Sequence, residues 1–128
     1  LPYPLLLWCG PVECSKIMMK RSDIVGLWEI TEMELWDDGY LSLGPPPAIE
    51  FKKKQGGQFN FGLVQADIDY VIDTETDRAE FTWDGVDEMD QVNGRGYFRC
   101  AADKGEGRIF THLGDSSGFH AVRKKNQN

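Results

Sequence analysis

The sequence predicts an all-β protein, a single up-and-down antiparallel β-barrel of about eight strands. Three observations carry this. Short stretches of alternating apolar and polar residues recur from Ile24 onward at roughly 10-residue spacing, separated by turn residues. Helical periodicity is absent over the same region. Gly26-Leu27-Trp28 stands in the first alternating stretch and Arg123 in the last. A Trp and an Arg so placed can pack across the seam where the first and last strands of a barrel meet, the guanidinium stacking on the indole.

The strands are expected over 24–35, 48–54, 58–64, 68–73, 78–83, 94–101, 107–113 and 118–124. A period of two then defines the inward face. It takes Ile24, Trp28 and Ile30, then Ile49 and Phe51, Phe59, Phe61 and Leu63, and Ile68, Tyr70 and Ile72. It continues through Ala79, Phe81 and Trp83, Phe98 and Cys100, Ile109 and Leu113, and Phe119 and Ala121. Arg123 falls in phase with this apolar set and needs partners there, Trp28 and a carboxylate or carbonyls. Glu32 is one candidate counter-ion; a bulge after Ile30 would instead turn Met33 and Leu35 inward and Glu32 outward. The apolar phase switches between Val64 and Ile68, where Gln65-Ala66-Asp67 is either a tight turn or a bulge in one long strand.

At 128 residues the chain is long enough for one domain with a single core. Residues 24–128 are read as the barrel and 1–23 as an N-terminal arm. Met18-Met19-Lys20-Arg21 resembles a natural start, so residues 1–17 carry no functional argument. The arm is nonetheless apolar, with three leucines and Trp8, and offers a contact either to its own barrel or to a second copy in a homodimer. A net charge of −7 argues against a nucleic-acid partner. No apolar run reaches the roughly 18 residues of a membrane helix. A soluble, cytoplasmic protein is expected, with Cys9, Cys14 and Cys100 reduced, since no metal-binding spacing accompanies them.

In a meander, alternate connections share an end. By this count 36–47, 65–67, 84–93 and 114–118 lie together at an elaborate end, which is where binding loops concentrate. Asp37, Asp38, Asp84, Asp87, Glu88, Asp90 and Asp115 fall there, beside Trp36, Tyr40 and Trp83. Asp84, Asp87, Glu88 and Asp90 are candidate metal ligands because clustered carboxylates supply the oxygens a hard cation takes. They do not fit the EF-hand pattern, and solvation is the ordinary role of such a loop. His112 and His120 would face each other across a hairpin at 114–118, pointing outward. No catalytic motif, phosphate loop or dinucleotide fingerprint occurs, and no cofactor is implied.

The segments Ile24-Val25-Gly26-Leu27-Trp28, Phe59-Asn60-Phe61-Gly62, Phe81 through Asp90, Gly94-Arg95-Gly96 and Phe110 through Asp115, with Ala121-Val122-Arg123, resemble a group of small bacterial proteins of unknown function. More broadly, Gly26, Trp28 and Arg123 are similar to the Gly-x-Trp and late Arg of the calycins, the lipocalins, fatty-acid-binding proteins and avidins. That resemblance implies a small ligand inside the barrel.

Two functions follow as expectations. The first is a small-molecule-binding barrel taking an apolar or aromatic ligand at the acidic end, with Trp28, Tyr70, Phe81, Trp83, Phe98 and Arg123 as binding residues. The second is a non-catalytic interaction or self-associating barrel with a filled core. A hydrolytic or metal-dependent enzyme at the carboxylate rim is a weaker third. Eight strands leave room for side chains or one small ligand, and the many inward aromatics lean toward filling.

Overall fold

The computed structural model describes residues 19–124. Eight strands close into one antiparallel barrel in chain order: β1 (Gly26–Met33), β2 (Ala48–Phe51), β3 (Gly56–Phe61), β4 (Val64–Asp73), β5 (Arg78–Asp87), β6 (Asp90–Ala101), β7 (Lys104–Thr111) and β8 (Ser116–Arg123), which returns to β1. Two single-turn helices, α1 (Arg21–Ile24) and α2 (Asp38–Leu41), lie outside the sheet. The arm upstream of Met19, with Cys9, Cys14 and the homodimer contact expected of it, lies outside the described residues. Among the described residues no helix is long and apolar enough to cross a membrane.

Alternation works as expected in most strands, with β4 burying Val64, Ala66, Ile68 and Tyr70 while Gln65, Asp67, Asp69 and Val71 stay outside. The interior is aromatic from end to end. Phe119 stacks on Phe98 at 6.0 Å, Phe98 meets Trp28 at 5.0 Å and Phe51 at 5.1 Å, and Phe51 meets Tyr70 at 5.1 Å. Phe81 bridges Phe51 and Phe59, and Phe59 continues to Trp83 at 5.2 Å and Phe61 at 5.9 Å. Such edge-to-face and offset contacts add to the free energy of burial.

The β1–β8 seam is closed by Arg123. Its guanidinium lies 4.3 Å from the centroid of the Trp28 ring, donates to the carbonyls of Val25 (3.0 Å) and Asp23, and pairs with Asp103 at 3.2 Å. The Trp28 indole N–H donates to the Ile24 carbonyl at 2.9 Å. Both side chains therefore hold α1 across the plain end of the barrel, with Ile24 fully buried as its plug.

Glu32 takes no part in this cluster. The β1–β8 register shifts between Ile30 and Glu32, so the bulge turns Met33 inward and leaves Glu32 outside, 4.0 Å from His120. Leu35, the other residue expected to turn inward, lies beyond the strand and is exposed. The phase switch after β3 is a turn, three residues earlier than Gln65: Phe61 pairs with Val64 around Gly62 and Leu63, and 65–67 lie inside β4. Segment 84–93 is likewise no long loop. Asp87 pairs with Asp90, so β5 and β6 run on into a hairpin turned by Glu88 and Met89. The first residues of these two turns, Gly62 and Glu88, both have left-handed φ, +53° and +60°, as primed hairpin turns require.

The last hairpin also differs from expectation. Phe110 pairs with Ser116 and Glu106 with His120, which separates His120 from His112 by nearly the length of the hairpin. Leu113, expected inside, sits at the turn at φ +59° and is 95% exposed. The cause is Ser117, which enters the strand and points inward fully buried, its hydroxyl accepting from Leu35 N–H at 3.0 Å and donating to the Gly118 carbonyl at 2.9 Å.

Candidate functional site

The elaborate end carries one long connection, 34–47, and three hairpin tips. The connection folds across the barrel mouth. Trp36 packs on Phe61 at 4.8 Å and on Tyr40 at 5.9 Å, and Leu41 is buried beneath α2. Asp37 caps α2, accepting from Tyr40 N–H at 3.1 Å, which satisfies one of the amides that a helix start leaves without a partner. The segment is latched on both sides. Glu34 N–H donates to the Gly118 carbonyl at 2.9 Å, and its carboxylate accepts from Gly118 N–H (3.2 Å) and Arg108 (2.8 Å). The backbone and Arg108 together hold the Glu34 carboxyl below its usual range. On the other side Asn60 donates to the Pro46 carbonyl at 2.9 Å, and the Tyr40 hydroxyl accepts from Leu63 N–H at 3.3 Å.

Of the residues expected to bind a ligand, Trp28, Tyr70, Phe81, Trp83 and Phe98 are all buried core, in ring contact with one another or with Phe51 and Phe59. Tyr70 donates its hydroxyl to the Lys52 carbonyl at 2.6 Å, and burial pushes its phenol pKa up. Arg123 sits with Trp28 at the plain end, remote in the chain topology from the acidic rim. All six pack against other side chains of the described residues.

The carboxylates are spread along the β5–β6 hairpin. Asp84 lies opposite Asp67 on β4 and Asn93 on β6, while Asp87 faces Asp90 beside the turn residue Glu88. Among the described residues no three His, Cys, Asp or Glu side chains come together as a metal would require. What the hairpin does present is Met89, 93% exposed at its tip. Leu113 tips the neighbouring hairpin, and Leu35, Leu43 and Val86 are exposed at the same end. These apolar tips stand among Asp37, Asp38, Asp84, Glu88, Asp90 and Asp115, all exposed.

Sequence reading found the acidic rim but not its apolar tips. Alternation alone puts Leu113 in the core, and Met89 falls within the acidic segment 84–93. At this turn the residue with left-handed φ is Leu113 rather than Gly114 beside it, so the Leu113-Gly114 sequence by itself does not mark the exposed tip. No family model, curated protein or solved structure matches this chain.

Proposed function

We propose that the protein is a soluble, non-catalytic interaction barrel that docks a basic protein segment bearing apolar side chains on its elaborate rim. The observation that carries this is the combination of an aromatic, self-contacting interior with two nearly fully exposed apolar tips, Met89 and Leu113, set among carboxylates. Exposed apolar groups rimmed by polar ones mark protein-binding surfaces. A side chain as large as Leu is disfavoured at φ +59°, and a costly backbone geometry at a solvent-facing turn supports a role in contact. Charge selects the partner: the rim repels anionic surfaces and attracts cationic ones, and the net charge of −7 supports cytoplasmic solubility.

The test is titration of isotope-labelled protein with a synthetic Lys- and Leu-rich peptide, followed by amide NMR. Expected shifts concentrate at 34–43, 84–93 and 111–115, weaken with salt, and shrink in Met89→Asp and Leu113→Asp, both of which replace exposed side chains. No saturable shift with the basic peptide overturns the reading. Stronger binding of anionic vesicles, or interior methyl shifts with a small aromatic probe such as indole, also overturns it, the latter in favour of a calycin-like ligand barrel.

A further inference from the structure

The outer wall of the barrel carries a second feature, which adjoins the rim and shares residues 111–115 with it. A groove of about 520 Å³ runs from the middle of β6 over the end of β7 and the start of β8, lined by Arg95, Phe110, Asn93, His112, Asp115 and Ser116 among others. Arg95 and Phe110 are direct cross-strand partners, and the Arg95 guanidinium lies 4.1 Å from the ring centroid. Beside Arg95, the β6 backbone runs close to β7, where a Cβ on Gly94 would sit 1.8 Å from the Phe110 carbonyl oxygen.

Four described arginines stack on aromatic rings, Arg21, Arg78, Arg95 and Arg123. Arg78 is held by Glu80, Arg123 by Asp103 and two carbonyls, and Arg21 donates to the Lys53 carbonyl. Arg95 differs. Among the described residues its side chain makes no hydrogen bond or ion pair, in a chain with 21 acidic residues. Arg95 is exposed, its guanidinium rests over the ring, and Asn93 and His112 line the same groove. At the groove edge the Ser116 hydroxyl accepts from Arg108 at 3.2 Å, which brings a second guanidinium close.

We propose that this groove binds an oxyanion, a carboxylate or a phosphate group, with Arg95 as the bidentate donor. A pre-oriented planar guanidinium is the side chain suited to this task, and stacking restricts its rotamers before the ligand arrives. Asp115 lines the same groove, and its negative charge opposes the anion and sets the affinity low.

The experiment follows the Arg95 Nε–Hε NMR signal during titration with inorganic phosphate and, separately, with a short peptide carrying one aspartate. A saturable shift with phosphate alone identifies a phosphate site, and one with the peptide alone identifies a carboxylate site; either supports the proposal. Arg95→Lys is expected to weaken binding about tenfold through loss of the fork, Phe110→Ala to weaken it, and Asp115→Asn to tighten it. Retained binding in Arg95→Ala, read from neighbouring amides, overturns the proposal, as does a response no larger than that to chloride. Unchanged thermal stability of the Arg95 variants shows that the fold is intact. The groove and the rim share residues 111–115, but the groove is read at the Arg95 Nε–Hε signal with anions and the rim with a basic peptide, so failure of one is distinguishable from failure of the other.

Discussion

The ring of Tyr40 occupies the space where a side chain on Gly62 would be: a Cβ there would lie 2.1 Å from Cε2 of Tyr40. Gly62 is also at φ +53°, so the turn between β3 and β4 needs glycine twice over, for its backbone and for the ring above it. Gly62→Ala should destabilise by about 1–3 kcal/mol, as overpacking and an incompatible φ do. Tyr40→Phe removes only the acceptor of Leu63 N–H and should cost about 0.5–1.5 kcal/mol. Chemical denaturation of the two variants measures both, and equal losses would mean that the hydroxyl rather than the ring holds the mouth closed.

Trp28→Ala should cost about 3–5 kcal/mol, the range of large core truncations, since the ring is fully buried against Phe98 and Arg123. Arg123→Lys keeps the charge but cannot reach Val25, Asp23 and Asp103 in one geometry. It should cost about 1–2 kcal/mol and speed hydrogen exchange in α1. Near-wild-type stability in Trp28→Ala would remove the indole from the core.

Cys100 has its thiol pKa pushed up to about 11 by burial, against an ordinary value of 9.0. Thiolate is the reactive form, so alkylation of Cys100 at neutral pH should be slow in the native state and fast after denaturation. Linkage gives the same group a pH signature. Its folded pKa is raised, so its contribution to stability is whole below pH 9.0 and declines as pH rises toward 11. Fast native-state labelling at pH 7 would contradict the half-buried position.

Glu34 titrates in the opposite sense. Its carboxyl is held below 4.5 by Gly118 N–H first and Arg108 second. The latch it forms is present above that value and is lost as pH falls through the lowered pKa. The Gly118 amide signal should therefore titrate with a midpoint below 4.5, and Glu34→Gln should abolish that titration. A midpoint at or above the ordinary value would mean that the latch is open in solution.

Leu113 couples stability to the proposed contact. Asn tolerates left-handed φ far better than Leu, so Leu113→Asn should stabilise the protein by about 0.5–1 kcal/mol while weakening the basic peptide. A thermal-denaturation scan and the NMR titration on one variant read the two effects separately. Tighter peptide binding in this variant would place the contact elsewhere on the rim.

Alternation along the chain was sufficient to name Trp28, Ile49, Phe51, Phe59, Phe81 and Phe98 as interior, because a strand's two faces follow from a local period. Strand count, the seam between Trp28 and Arg123, and the sharing of one end by the acidic segments all followed from that period and chain order. The turn over 74–77 followed as well, but the turns at the acidic end did not. Glu88-Met89 contains no Gly, Pro, Asn or Asp, and its hairpin forms because β5 and β6 pair as far as Asp87 and Asp90. The bulge after Ile30, the pairing of His120 with Glu106 and the burial of Ser117 depend on register between strands far apart in sequence. Whether the inward aromatics line a cavity or meet one another is decided by barrel diameter and by the Trp36–Tyr40 cover, neither of which is a local property. Trp28, Tyr70, Phe81, Trp83 and Phe98 are buried in that interior, and the exposure of Met89 and Leu113 at the tips is determined only by the closed barrel.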